Sequence, residues 1–166
     1  MHTLAVTENY IIIPENSYLK DPCAFLKDTF EPGFLRDMTF EPQVNGRFLV
    51  VNKNTTEVMI LEADHAFFIT HSFGSYEAAK DVIYVDVIKY NDASAYIDNP
   101  KVQESIYGQK YGQNYITRFE LYLNNMTVVT KVLHDQAPNS YVEFSNINWA
   151  YGGKKYRCTV LVKAFF

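Results

Sequence analysis

Long apolar runs are missing from this 166-residue chain; none approaches the roughly 20 residues that a membrane-spanning helix needs, so no such helix is expected. The first residues lack a basic segment leading into an apolar stretch, so no secretory leader is expected. Cysteine is scarce. Cys23 and Cys158 are the only two and lie far apart, which fits reduced thiols in the cytoplasm rather than a disulfide framework. Net positive charge is missing too. The formal charge is −4, so no basic face predicts nucleic acid as a partner. The chain contains no HExxH, CxxC pair, GxSxG, Walker loop or GxGxxG, which removes the common metalloprotease, hydrolase, nucleotide and dinucleotide templates. No internal repeat is visible.

What the chain has in surplus is aromatic residues, 16% of the total, with 13 Tyr and 12 Phe against a single Trp. Such residues suit a pleated, half-buried sheet. Short strands are expected over residues 8–13, 47–52, 57–62, 66–71, 82–90, 115–123, 127–133, 141–144 and 156–165. Turn chemistry separates them at Asn45-Gly46, Asn52-Lys53-Asn54, Asn124-Asn125 and Gly152-Gly153. Many short strands with turns between them predict an all-β fold: a sandwich, barrel or propeller. VIYVDVIKY, residues 82–90, is apolar on nearly both faces and reads as an inner strand covered on both sides. Two segments break the pattern. Residues 22–37 fit a short amphipathic helix or an ordered loop. Residues 92–107 fit one or two helical turns capped at Asp92. The chain begins almost directly on a strand and finishes on Phe165-Phe166, which reads as a piece of a longer β-protein.

Chemistry in such a chain falls first to its four histidines, His2, His65, His71 and His134, because imidazole is the commonest metal ligand and the natural acid or base near neutral pH. His65, beside Asp64, reads as a surface residue, and His134 as an exposed loop residue. His71 ends the run AFFITH, where alternation puts it on the face of Phe67 and Ile69.

Three stretches carry a resemblance to a known family. HTLAVTENYIII is similar to HSFGxTENYxxF. THSFGSYE, followed by DVIYVDV, is similar to FHxxNxYE with a Val/Asp-rich strand. YVEFSNINWAYGGKKYR is similar to EFPxINxxxxGxxYRY. In this order and at this spacing they resemble the carotenoid cleavage oxygenases, the family of beta-carotene oxygenases, apocarotenoid-forming dioxygenases and the retinoid isomerohydrolase. Departures are Thr3-Leu4-Ala5 for Ser-Phe-Gly, Gly74 for the Asn of the second motif, Ser145 for the Pro of the third, and Cys158-Thr159-Val160 after Tyr156-Arg157.

The resemblance implies part of a seven-bladed β-propeller with short helical insertions. Residues 1–166 would be a partial propeller domain, incomplete at both ends. It also implies a non-haem Fe(2+) ion on the propeller axis, held by four histidines. By position His2 and His71 match two of these metal ligands. Glu143 matches a carboxylate that hydrogen-bonds a ligand histidine, which would fix the tautomer and raise the ligand's basicity. The other two histidines would lie outside this chain, so the isolated piece is expected to be inactive as an oxygenase. The implied activity is O2-dependent cleavage of a conjugated double bond in a carotenoid, apocarotenoid or retinoid. The alternatives are a retinyl ester isomerohydrolase-like enzyme and a non-catalytic lipid-binding or interaction module. Phe25, Leu26, Phe30 and Phe34 stand where the family has an apolar patch near the substrate tunnel. They either dip into one leaflet of a peripheral membrane surface or cap the sheet. The expected location is cytoplasmic, with that peripheral association.

Overall fold

Alternating burial along short strands organises the chain. The computed structural model describes residues 4–20, 38–90, 114–134 and 140–165. The first six strands are β1 (Ala5–Val6), β2 (Tyr10–Glu15), β3 (Tyr18–Lys20), β4 (Met38–Phe40), β5 (Arg47–Asn52) and β6 (Val58–Glu62); of these, β1, β2, β5 and β6 bury Ala5, Ile12, Pro14, Phe48, Val50 and Leu61, while Glu15, Arg47 and Glu62 face outward alongside the exposed Val6, Val58 and Ile60. β1, β2, β5 and β6 form one four-stranded antiparallel sheet in that order, and β3 and β4 form a separate ribbon. A second four-stranded antiparallel sheet has the order β10-β9-β8-β7, built from β7 (Phe68–Ala79), β8 (Val82–Tyr90), β9 (Asn114–Tyr122) and β10 (Thr127–His134). β11 (Ser140–Asn146) and β12 (Val160–Phe165) pair beside it, joined through a 3-10 turn at Trp149–Tyr151. Four-stranded antiparallel sheets laid side by side are the units from which propellers are built.

The two large sheets share one core. Ile12, Phe48, Val50 and Leu61 from the first meet Ile83, Val85, Phe119 and Leu121 from the second. Phe48 and Phe119 lie 4.9 Å apart, and Phe67 packs on Phe119 at 5.1 Å. Each fully buried Phe contributes about 1.5–3 kcal/mol relative to exposure. A second cluster joins Phe73, Ile88, Tyr90 and Ile116 to Val142 of β11. Asn114 ties that junction. Its amide nitrogen donates to the Val142 carbonyl at 2.6 Å, and its amide oxygen accepts from the Val142 N–H at 3.3 Å. One side chain thus does for β11 what a neighbouring strand would.

β8 is an inner strand, as its composition predicts, with every residue from Val85 to Tyr90 buried. β7 differs from expectation. It does not stop at His71 but runs twelve residues to Ala79. Register shifts against β8 between Ile69 and Ser72, between Ser72 and Gly74, and between Glu77 and Ala79 let the strand carry Ser72, Gly74 and Ser75, which read as turn residues in isolation. β1, β3 and β4 are two or three residues long, too short to show a period. The helical expectations at 22–37 and 92–107 lie outside the described residues.

Candidate functional site

The three motif stretches meet in space, and Glu77 of β7 makes the join. Its carboxylate accepts from the Thr7 hydroxyl at 2.8 Å, from the Asn9 backbone N–H at 2.8 Å and from the Asn9 side-chain amide at 2.9 Å. Partial burial alone would raise its pKa. The hydrogen bonds from Asn9 and Thr7, with the charge of Lys53, outweigh burial and hold the carboxyl below its ordinary value. Thr7 Oγ1 in turn accepts from the Tyr10 N–H at 3.1 Å. Thr7 and Asn9 of the Thr-Glu-Asn-Tyr run are therefore donors aimed at a carboxylate about 70 residues further on. Ser75 donates to the Val6 carbonyl at 2.9 Å, and Lys53 Nζ donates to the Thr7 carbonyl at 2.8 Å. The third motif closes against the same place. Gly153 has φ +74°, and a Cβ there would meet the Val6 and Thr7 backbone at 3.3 Å. β1 is short, yet Ser75 and Glu77 of β7, Lys53 and the close-packed Gly153 fix it and the residue that follows it.

Around β1 opens a cleft of about 880 Å3. Leu4, Ala5, Val6, Phe73, Ile147 and Trp149 give it apolar walls, with Glu8, Lys53 and Lys154 among its polar groups. His71 lines it, half-buried, as do Ser145 and Asn146 at the end of β11. The shift between Ile69 and Ser72 interrupts the two-residue period, so Ile69 stays buried in the core while His71 reaches the cleft. The strict alternation expected from Phe67 to His71 is corrected by that bulge. Glu143 sits on β11 opposite Val162, on the strand that packs against β7; its side chain lies outside the described residues. His2, Phe25, Leu26, Phe30 and Phe34 also lie outside them, although Leu4, two residues after His2, lines the cleft. Among the described residues no three His, Cys, Asp or Glu side chains cluster in a way that could hold a metal.

The other histidines stay away from the cleft. His134 is exposed at the end of β10. His65 is more enclosed than a surface reading implies, at 32% side-chain exposure. Its ring stacks on Phe119 at 6.3 Å and 19°, and its Nδ1 lies 2.6 Å from Asp64 Oδ1.

Sequence reasoning missed a charged cluster behind the cleft. Asp86 and Arg118 face each other across β8 and β9 and form a bidentate pair at 2.7 and 2.8 Å, with Asp86 side-chain exposure only 2%. The Arg118 guanidinium lies 4.8 Å from the Tyr84 ring centroid and 5.6 Å from that of Tyr76. The Tyr156 hydroxyl donates to Asp86 Oδ2. Burial, then the Asp86 charge, pushes the Tyr156 phenol far above its ordinary pKa, so it remains a donor. Gly74 stands opposite Asp86 on β7, and a Cβ there would overlap the Tyr156 ring. The signal for the cluster was present as charges inside apolar strands, Asp86 in VIYVDVIKY and Arg118 in YITRFELY, since a buried charge needs a partner.

With this geometry in place, the comparisons with known proteins are decisive. The family model described as Retinal pigment epithelial membrane protein, RPE65, matches residues 1–164. The chain belongs to this family. Among solved structures, a cobalt-substituted Synechocystis apocarotenoid oxygenase superposes with TM-score 0.79 at 20% identity, covering 98% of this chain and 32% of that one. A chimera of that oxygenase with RPE65, in a trigonal crystal form, gives TM-score 0.79 at 19% identity, covering 99% and 33%. A point mutant of the Synechocystis enzyme gives 0.77 at 19%, covering 94% and 31%. The chain thus spans about a third of the length of these structures, and at such identity the likeness establishes the fold. No curated protein sequence matches the chain. The RPE65-family fold accounts for the antiparallel sheets.

Proposed function

We propose that this chain is part of a non-haem Fe(II) dioxygenase that cleaves a conjugated double bond of a carotenoid or apocarotenoid. The observation that carries the reading is the convergence of all three motif segments on one apolar-walled cleft that His71 lines. Iron, when bound, would supply activation of O2 beside the polyene. The residues of this chain would do the rest. His71 and His2 would each offer a neutral imidazole nitrogen to the metal. Glu143 would accept the other ring N–H of one of them and so hold its tautomer. Leu4, Ala5, Val6, Phe73 and Ile147 would exclude water and hold an elongated apolar chain in place. A polyene of this kind is insoluble, so the protein would work from the cytoplasmic side against a membrane surface, with Phe25, Leu26, Phe30 and Phe34 as the apolar contact. The family match to the retinal pigment epithelial membrane protein also favours a second reading, hydrolysis and isomerisation of a retinyl ester without O2. Oxygen uptake during turnover separates the two.

His71→Ala in the longer parent protein tests the reading. Iron content by atomic absorption and product formation should both collapse. A variant that keeps full iron and full cleavage would remove His71 from the site. The 166-residue piece, with two of the four imidazoles, should hold iron substoichiometrically and yield it readily to a chelator.

A further inference from the structure

Buried hydroxyls nearly always find a partner, because leaving one unpaired is costly. Among the described residues, three buried side-chain polar atoms have none: His65 Nε2, Thr130 Oγ1 and Ser145 Oγ. Of these three residues, Ser145 is the one that lines the cleft. Other polar side chains of that wall are committed elsewhere. Ser75 donates to the Val6 carbonyl, Lys53 to the Thr7 carbonyl and Thr7 to Glu77. Glu8 and Lys154 are exposed to water. Ser145 is half-buried as a residue, yet its hydroxyl is shut off from water and makes no hydrogen bond.

The backbone around Ser145 is held in place. β11 shifts register against β12 between Glu143 and Asn146, and Ser145 lies inside that irregularity. Such bulges re-aim a side chain. The Asn146 carbonyl accepts from Thr159 Oγ1 at 2.8 Å, and Asn148 caps the 3-10 turn by accepting from the Ala150 N–H at 3.0 Å. The chain just past Ser145 is thus pinned. Its hydroxyl keeps one rotation, about χ1, between the wall and the cleft. The sequence singles out the same residue. Leu4, Ala5, Gly74 and Ser145 all stand where this chain departs from the resembled motifs, and all four line the cleft. Ser145 is the one of the four with a polar side chain, in place of a proline.

We propose that Ser145 selects the ligand of the cleft: its hydroxyl hydrogen-bonds an oxygen function carried by an elongated apolar chain, so that oxygenated polyenes are favoured over pure hydrocarbons. This selection rests on the proposed function in taking the cleft as the polyene site, and goes beyond it in naming the chemistry of the substrate. While the cleft is open, water serves Ser145 once χ1 turns it outward. A polyene that fills the cleft displaces that water. A hydrocarbon then leaves the hydroxyl unpaired among apolar walls, whereas a hydroxyl, carbonyl or ether oxygen pairs it.

Trp149, the only tryptophan, lines the cleft and reports its occupancy by energy transfer to a bound polyene. Three probes of one skeleton are titrated into the full 166-residue chain: all-trans-retinol, its methyl ether, and the hydrocarbon in which hydrogen replaces the hydroxyl. Each is compared between wild type and Ser145→Ala, so differences in solubility cancel. Retinol and the ether should lose about tenfold in affinity in the variant, and the hydrocarbon should bind unchanged or tighter. A loss for retinol and not for the ether would uphold the assignment, with Ser145 as the acceptor. An equal change for all three probes, or a change for none, would overturn it. Without ligand, Ser145→Ala should match or exceed the wild-type thermal midpoint, because no protein group holds the hydroxyl. A lower midpoint, in this chain or in the longer parent protein, would give the hydroxyl a protein partner and also overturn the assignment. Preference for the oxygenated probes by a parent protein that cleaves no polyene would uphold the selection and sink the oxygenase reading. Iron-dependent cleavage that uses oxygenated and hydrocarbon polyenes equally would do the reverse.

Discussion

Glu77 shows how much one side chain decides here. Three donors from Thr7 and Asn9 converge on its two oxygens. In Glu77→Gln, one acceptor becomes a donor facing a donor. The cost should be about 2–3 kcal/mol in urea unfolding, the range for hydrogen bonds to a charged group. The pH dependence has a definite sign. Glu77 has a folded pKa below its unfolded one, so its contribution is complete above the ordinary glutamate value near 4.3 and drains away as pH falls through the depressed folded value. The thermal midpoint of the wild type should therefore fall more steeply on acidification below about pH 4.5 than that of Glu77→Gln; parallel curves would show that the carboxylate is not coupled to folding. Gly74 yields the second residue-scale prediction. Gly74→Ala should destabilise by displacing the Tyr156 ring, and Tyr156→Ala in the same chain should relieve part of that cost, giving a coupling of about 1 kcal/mol or more in a double-mutant cycle. Neither residue's role was legible in the sequence. Glu77 could be noticed beside His71, but which donors meet it depends on pairing across about 70 residues, and composition carries no trace of that.

Among the elements, legibility followed length and purity of pattern. β5 and β8 fall where their apolar runs place them, Arg47–Asn52 and Val82–Tyr90, because burial on one or both faces sets the pattern. β7 exceeded its sequence signal because bulges let a strand continue through small polar residues. The cross-strand pair Asp86–Arg118 belongs to this scale, since it sits on two adjacent strands and secures the end of the third motif through Tyr156. Arg118→Met should strand a buried carboxylate and cost about 3–5 kcal/mol. Removing the whole cluster, as Asp86→Leu/Arg118→Met/Tyr156→Phe, should recover most of that loss when both are measured by chemical denaturation. A triple variant as unstable as Arg118→Met would mean that the ion pair itself, not its desolvation, carries the stability.

For the molecule as a whole, the family and the all-β architecture were readable because three motifs kept their order along the chain, and each motif turned out to be a structural contact as well as a signature. The cleft could not be read, because it is made by β1, β7 and the segment after β11 arriving at one point. The hydrogen bonds that bring them there, Thr7 to Glu77 and Tyr156 to Asp86, each join residues 70 positions apart. Such separations have a kinetic meaning. Hairpins β5–β6, β7–β8 and β9–β10 close short loops and form early, whereas both clamps must wait for the sheets to meet. The cleft is then the last part of the chain to acquire its shape during refolding and the first to lose it. Glu77→Gln should accelerate unfolding several-fold and leave the refolding rate nearly unchanged in stopped-flow measurements. A chain caught just short of the native state would have its sheets in place and its ligand cleft still open.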